Sequence, residues 1–252
     1  MKLTDRIIAL LLLMAVAVGT LASCDITTGP LQSDTFIANV EVKFSSENAE
    51  IKTVIDTMNR NSTIYVSEDD MKIETSVEME GISITDNYVF FGGTLYHENR
   101  ATVNGKTAVE LKRASMSSEN KDQLIADVGA GASIEPTDFN VQEQEGDELN
   151  CTYSCSRITG KAKESIEAIY GSKFSAIGAT VELSGAEYNL VIANGRRTSS
   201  SLTCHFVIGM NGQSYEITVE ILTSYDYDAT FGISTPANSS SYQLVGYDEI
   251  FE

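Results

Sequence analysis

The clearest structural signal in the chain is the stretch Leu202-Thr203-Cys204-His205-Phe206-Val207-Ile208-Gly209-Met210-Asn211-Gly212-Gln213-Ser214-Tyr215-Glu216-Ile217-Thr218-Val219-Glu220-Ile221. Apolar residues occupy every second position on both sides of Asn211-Gly212, and polar residues occupy most of the positions between them. This period of two is typical of a strand with one buried and one wet face. Asn-Gly suits the positive φ angles of a tight hairpin turn. The stretch therefore predicts a long antiparallel hairpin.

The same signals recur along most of the chain. Glycine-containing turns are predicted at Gly81, Gly92-Gly93, Asn104-Gly105 and Asn194-Gly195. Strands are predicted near residues 36–45, 50–58, 62–67, 70–79, 82–91, 94–102, 107–113, 139–143, 148–157, 180–183, 186–193, 198–209 and 213–225. Two segments, 117–128 and 161–170, have apolar residues at helical spacing and a glycine just beyond, which predicts short amphipathic helices.

The number of strands indicates the fold class. Long antiparallel meanders interrupted by two helical segments predict an α+β domain. Because a sheet of so many strands twists and does not stay flat, we expect a large curved sheet, a half-barrel, that wraps two or more short helices. This β-rich domain is predicted to cover residues 36–236, followed by a serine-rich C-terminal tail at 237–252.

The N-terminus has the layout of an export signal. Lys2 and Arg6 precede an apolar run from residue 7 to 19, which is short for a membrane-spanning helix. Small residues follow in Leu21-Ala22-Ser23-Cys24. That tetrapeptide resembles the bacterial lipobox, in which a diacylglyceryl group is attached to the cysteine and the signal is cut before it. The sequence therefore predicts a signal peptide at 1–23, lipidation of Cys24 with stable anchoring by its acyl chains, and a lipidated tether at 24–35.

Charge and localisation follow from the same observations. A lipidated Cys24 places the domain at the extracytoplasmic face of the cell membrane. The formal net charge of −19 argues against a nucleic-acid partner, since phosphates favour clustered Lys and Arg. Electrostatic binding to anionic lipid is disfavoured for the same reason.

Three cysteines remain for the domain, namely Cys151, Cys155 and Cys204. Export permits disulfides, and Cys204 is a candidate to pair with either Cys151 or Cys155. The favoured alternative is that all three are small buried hydrophobes. A zinc site with His205 is disfavoured, because His205 has the opposite strand parity to Cys204 and faces away. No metal site is therefore predicted.

The sequence contains no recognisable catalytic constellation. The two histidines, His97 and His205, lack a neighbouring nucleophile or ligand pattern in the sequence, and no phosphate loop, nucleophile elbow or His-Glu-x-x-His motif occurs. Ser118 and Lys121 match a Ser-x-x-Lys pattern without its companion motifs. We expect no enzyme activity and no cofactor.

One family resemblance adds to these predictions. A lipobox with a short tether, the closing strand Tyr225-Asp226-Tyr227-Asp228 and the segment Phe231-Gly232-Ile233-Ser234-Thr235-Pro236 together resemble envelope lipoproteins with a LolA-like fold, of the mycobacterial LppX and LprG type. The resemblance implies a curved half-barrel that wraps helices around an apolar cavity, and the carriage of a lipid or lipoprotein. Fold alone does not establish such a function.

Two functions remain open. The leading one is a non-catalytic lipoprotein that binds a lipid or other apolar ligand. Its candidate cavity-lining residues, taken from the long hairpin, are Phe206, Ile208, Ile217, Val219 and Ile221. The alternative is an interaction module that docks another cell-envelope protein, with these five residues simply packed against the helices.

Overall fold

The computed structural model describes residues 35–67, 69–79, 81–117, 134–175, 178–210 and 212–251. The first half contains strands β1 (Phe36–Ser45), β2 (Arg60–Val66), β3 (Met71–Met79), β4 (Ile82–Phe91), β5 (Thr94–Val103) and β6 (Lys106–Ser115), with helix α1 (Ala49–Ile55) after β1. The second half contains β7 (Phe139–Gly146), β8 (Cys151–Ile158), helix α2 (Gly160–Ser175), β9 (Thr180–Ala193), β10 (Arg196–Met210), β11 (Gln213–Asp226) and β12 (Gln243–Leu244). Within these described ranges, the helices are too short or too polar to cross a membrane.

The twelve strands of the described residues form one sheet. Its order is β12-β6-β5-β4-β3-β2-β1-β11-β10-β9-β8-β7, with β12 and β7 at the two open edges. Every pair is antiparallel except β12 with β6. This large open antiparallel sheet with helices on it confirms the predicted α+β class with a curved sheet.

The turns follow the sequence signals. Asn104-Gly105 and Asn194-Gly195 have positive φ at both residues, 49° and 77° in the first pair and 54° and 72° in the second. Only glycine and asparagine adopt such angles readily, so these dipeptides close the β5–β6 and β9–β10 hairpins. The hairpin predicted from residues 202–221 is also confirmed, because Phe206 pairs with Ile217 and Cys204 with Val219.

The sheet has one buried and one wet face, as its alternating sequence predicts. On β1, Phe36, Ala38 and Val40 are buried, while Asn39 is exposed. We call the first side the core face and the second the outer face. The core residues of all the long strands share the core face, and both helices pack on it.

Helix α1 corrects one prediction, the strand at 50–58. Ile51, Ile55 and Met58 are buried at spacings of four and three residues, which is a helical period. Asn48 starts the helix, since its Oδ1 accepts a hydrogen bond from the Glu50 amide at 2.8 Å. Helix α1 and the 3-10 helix that follows it at Asp56–Met58 bury all three apolar side chains on one side, whereas a strand would turn the odd and even positions to opposite faces.

Helix α2 confirms the prediction at 161–170 and extends it to Ser175. Its Ala162, Ile166, Tyr170 and Phe174 are buried at helical spacing. The other predicted helix, at 117–128, lies outside the described residues beyond position 117.

Two further elements differ from the sequence-based boundaries. The strands predicted at 180–183 and 186–193 form the single strand β9, whose register with β10 shifts between His205 and Phe206. The predicted C-terminal tail at 237–252 contains a short 3-10 helix at Ser239–Ser241, and β12 then joins the sheet beside β6. Tyr242 packs its ring edge-on to Tyr96 at 5.4 Å, so the tail covers part of the outer face.

Candidate functional site

The five predicted cavity-lining residues lie in the core. Phe206, Ile208, Ile217, Val219 and Ile221 are each at most 4% exposed. The Phe206 ring lies 4.5 Å from that of Tyr170 on α2. The long hairpin is therefore packed against the helix on its core face.

The three cysteines are buried and free, so the predicted disulfide of Cys204 with Cys151 or Cys155 is absent. Strand β9 is the reason, because it lies between β8 and β10. Cys155 pairs across to Tyr188 on β9, which pairs to Leu202 on β10. Cys155 and Cys204 are thus separated by two strand spacings, roughly 9.6 Å, whereas a disulfide needs Cα atoms within about 7 Å.

Burial also decides the chemistry of Cys204. The side chain is fully buried, and desolvation raises the pKa of its thiol to about 12. Because the thiolate is the nucleophile and metal ligand, such a thiol is chemically inert at neutral pH. His205 lies on the outer face and is exposed, opposite to Cys204, as their spacing predicts.

The core face contains a line of polar residues that sequence reasoning did not identify. Following the register from strand to strand, one row crosses β10, β11, β1, β2, β3, β4, β5 and β6 and is polar at every position except Val40. We call this row the interior polar row, and its polar members are Ser200, Thr223, Ser62, Thr75, Asp86, Asn99 and Glu110. The first five are buried and Glu110 is exposed, so the row runs from solvent at β6 into the core.

Asp86 is the buried carboxylate of the interior polar row and contacts two side chains of β5. Its Oδ1 lies 2.6 Å from His97 Nε2 and accepts a hydrogen bond from Asn99 Nδ2 at 3.3 Å. Asp86 and His97 are both 4% exposed. The Tyr88 ring stacks on His97 with centroids 4.3 Å apart. Burial raises the pKa of Tyr88 well above its ordinary value, and the charge of Asp86 and a side-chain hydrogen bond with it act in the same direction, so this phenol stays protonated.

The Asp86–His97 pair has unused hydrogen-bonding atoms. Asp86 Oδ2 and His97 Nδ1 are buried and have no partner among the described residues. Buried polar atoms are nearly always paired in folded proteins, and leaving one unpaired costs about 1–3 kcal/mol. An additional polar group, from water or a ligand, is therefore favoured at this point of the core.

One signal in the sequence points to this pair. Asp86 falls on the apolar parity of β4, among Ile84, Tyr88 and Phe90, where a wet position is not expected. What the sequence does not contain is the register that places His97 beside it, since His97 directly faces Tyr88.

A groove lies on the outer face, on the side of the sheet opposite the hairpin residues that pack against α2. It spans β2, β1, β11, β10 and β9 and has a volume of about 650 Å³. Its outward-facing residues are Asn39, Glu41, Asn61, Thr63, Asn189, Val191, Ser199, Ser201, Leu222 and Ser224. None of the five predicted cavity-lining residues belongs to it.

Comparisons with known proteins do not assign a family. No protein-family model and no curated protein matches the chain. Among solved structures, it is similar to the dehydratase domain of PpsC from Mycobacterium tuberculosis, both in complex with C12:1-CoA and as the domain described without that ligand. Each match has 14% identity and a TM-score of 0.17, and covers 84% of this chain and 81% of the other. A TM-score this low supports no conclusion about fold or function.

Proposed function

We propose that the protein is a non-catalytic lipoprotein, anchored through Cys24 at the extracytoplasmic face of the cell membrane, that binds a lipid or other amphiphilic ligand. The lipobox-like Leu21-Ala22-Ser23-Cys24 supports the anchor, although these residues lie outside the described part of the chain. The resemblance to LolA-like lipoproteins supports a ligand held between the sheet and its helices.

The observation that carries the ligand proposal is the interior polar row. A carboxylate and an imidazole that each leave one buried atom without a hydrogen-bond partner do not stabilise a core that serves only for packing. An amphiphile supplies both parts that this surface needs, a polar group for Asp86 Oδ2 and His97 Nδ1, and an apolar chain for the aliphatic and aromatic surface around them.

The packing of the core supports one position for the apolar part of the proposed ligand. Tyr170 already packs on Phe206, so the hairpin end of the core is filled. Ile73 and Tyr88 form the row next to Asp86 and continue the apolar surface on β3 and β4. We place the ligand chain along this row, with its polar group at Asp86 and access from the exposed Glu110 end.

Native mass spectrometry tests the ligand proposal directly. The domain from Ser33 onward is exported, purified without detergent and sprayed under gentle conditions. We expect a co-purifying amphiphile on the wild type, lost in Asp86→Leu but kept in the control Asn87→Ala, which changes the outer face of the same strand. A bare wild-type mass, or equal retention by Asp86→Leu, contradicts the proposal.

The alternative, a module that docks another envelope protein, is favoured by one observation, the packing of the long hairpin against α2. A bare wild-type mass in the same experiment supports it. Exposed large apolar side chains in the described ranges are scattered, at Val109, Leu149 and Leu244, and the amphiphile proposal therefore comes first.

The anchor is tested separately, with the full chain in a bacterial host. Labelled palmitate is expected to be incorporated into the wild type and not into Cys24→Ala, because the thiol is the acylated atom. Equal labelling of the two chains, or no labelling of the wild type, contradicts the anchor.

A further inference from the structure

The groove on the outer face differs from the rest of that face in the residue types that line it. Two rows cross it in register, Thr63-Asn39-Ser224-Ser199 and Asn61-Glu41-Leu222-Ser201-Asn189. Neighbours within a row are about 4.8 Å apart and the rows are about 6.8 Å apart. Seven of the ten outward-facing positions thus carry a hydroxyl or amide group, in a grid that is interrupted by Glu41, Val191 and Leu222.

We propose that this groove binds a neutral oligosaccharide. Hydroxyl and side-chain amide groups both donate and accept hydrogen bonds, as the hydroxyl groups of a sugar do. Two bonds within the grid, Thr63 Oγ1 to Asn39 Oδ1 at 3.2 Å and Asn189 Nδ2 to Ser201 Oγ at 3.3 Å, orient these side chains across the groove. The remaining hydrogen-bonding positions of the same groups face the ligand.

The charge of the groove indicates a neutral ligand. The chain has a formal charge of −19, yet Glu41 is the one charged side chain among the described residues that line the groove, and its carboxylate lies 3.0 Å from Lys43 Nζ. No Lys or Arg lines it to pair with an anion, and a single paired carboxylate offers little to a cation. A neutral molecule rich in hydroxyl groups therefore fits this lining better than an anion or a cation does.

The residue types argue against a purely structural surface. Asn is disfavoured in strands, yet three asparagines stand in the middle of the sheet at Asn39, Asn61 and Asn189. Elsewhere the outer face of β11 follows the ordinary pattern for a wet strand, with Glu216, Thr218 and Glu220. The groove therefore has a local composition that strand stability does not favour.

Size narrows the ligand to a chain of several sugar units. Five strands span roughly 19 Å from β2 to β9. A volume of about 650 Å³ lies within the usual range of ligand pockets. Val191 and Leu222 are half-buried within the grid and offer apolar contact to the C–H faces of sugar rings. The ligand lies on the opposite face of the sheet from the amphiphile proposed above, and Ser62, Ser200 and Thr223 of the interior polar row also border the groove.

Binding of neutral hexasaccharides to the full chain tests the proposal. The protein is held in a detergent without a sugar headgroup, and cellohexaose, chitohexaose and maltohexaose are the probes. Saturation-transfer NMR detects contact and calorimetry measures affinity. We expect at least one hexasaccharide to bind the wild type, and Ser224→Arg to weaken it about tenfold or more, because the long cation fills the centre of the groove.

The matched control is Ser214→Arg. Ser214 lies on the same outer face of β11, is also exposed and is outside the groove. We expect the Ser214→Arg variant to bind the hexasaccharide with the wild-type affinity. Both variants are expected to keep the wild-type melting temperature. Failure of all three sugars to bind the wild type overturns the proposal, as does equal binding by Ser224→Arg.

Discussion

At the scale of single residues, burial decides what each reactive group can do. Cys204 has a nucleophilic atom but is sealed in the core, so its thiol stays protonated. Asp86 and His97 are equally buried, but their mutual contact and their two unpartnered atoms, Asp86 Oδ2 and His97 Nδ1, make them a polar point in the interior. The same burial therefore makes one group inert and the other pair a candidate binding point.

The first residue-scale prediction concerns the Asp86–His97 contact. Asp86→Asn keeps the shape of the side chain and removes its charge, and we expect the free energy of unfolding to fall by about 1–3 kcal/mol. Glu41→Gln, which breaks the exposed pair with Lys43, should cost less than about 1 kcal/mol. Urea denaturation of both variants measures the difference, and equal effects would show that the buried contact is not stabilising.

The second residue-scale prediction concerns alkaline pH. Below pH 9, the ordinary thiol value, the folded and unfolded states both keep the Cys204 proton. Between pH 9 and about 12 only the folded state keeps it, so the free energy of unfolding falls by about 1.4 kcal/mol per pH unit from this group.

Urea denaturation at several pH values, wild type against Cys204→Ala, measures this slope. The variant removes the Cys204 contribution and should lose stability less steeply above pH 9. Identical slopes would mean that the thiol titrates alike in the folded and unfolded chains. A thiol reagent provides a second check, because Cys204 should react only after unfolding.

At the scale of elements, helix α2 closes the hairpin end of the core. Tyr170 contacts both Phe206 and Phe44, with ring centroids 4.5 Å and 6.3 Å apart. This one side chain therefore joins the helix to strands β10 and β1.

Tyr170→Ala should accordingly lower the free energy of unfolding by about 3–5 kcal/mol, since it removes a large buried ring. Lys161→Ala, at an exposed position of the same helix, should change it by less than about 0.5 kcal/mol. Thermal and urea unfolding compare the two. A loss at Tyr170 no larger than at Lys161 would mean that α2 does not depend on this contact.

The elements also show what sequence reasoning can and cannot reach. Local signals were sufficient for the hairpins, because Asn104-Gly105 and the alternation of β10 and β11 act over a few residues. The strand prediction at 50–58 is wrong, because the β-branched Thr53 and Val54 favour a strand locally, whereas the burial of Ile51 and Ile55 on one side depends on the sheet beneath them. The Asp86–His97 contact and the separation of Cys155 from Cys204 depend on register and strand order, which no local pattern contains.

At the scale of the whole molecule, the sheet is open and its two edges must avoid pairing with other chains. Tail residues Gln243–Leu244 pair with β6 and so cap one side. The other edge, β7, is exposed and acidic, with Glu143 and Glu145 along it. Charged residues on an edge strand discourage the addition of a further strand.

Replacing both glutamates on the β7 edge should allow this edge to pair with another chain. We expect Glu143→Thr with Glu145→Thr to promote dimers or larger assemblies, because threonine favours strands and removes the repulsion. Glu216→Thr with Glu220→Thr, on the interior strand β11, changes charge equally without altering an edge. Light scattering at matched concentration compares the size of the assemblies that the two double variants form. Equal sizes would show that net charge alone keeps the chain dispersed.

The position of β1 has a mechanical consequence. Although it is the first described strand, it lies in the interior of the sheet, with nine residue pairs to β11 and seven to β2. A tension applied to the chain ahead of Thr35 pulls β1 lengthwise between two neighbours and loads both ladders in shear. Many hydrogen bonds must then break together, whereas an edge strand pulled sideways would peel one pair at a time. A force applied at this point therefore meets the resistance of both ladders at once, and the sheet does not unravel from a free edge.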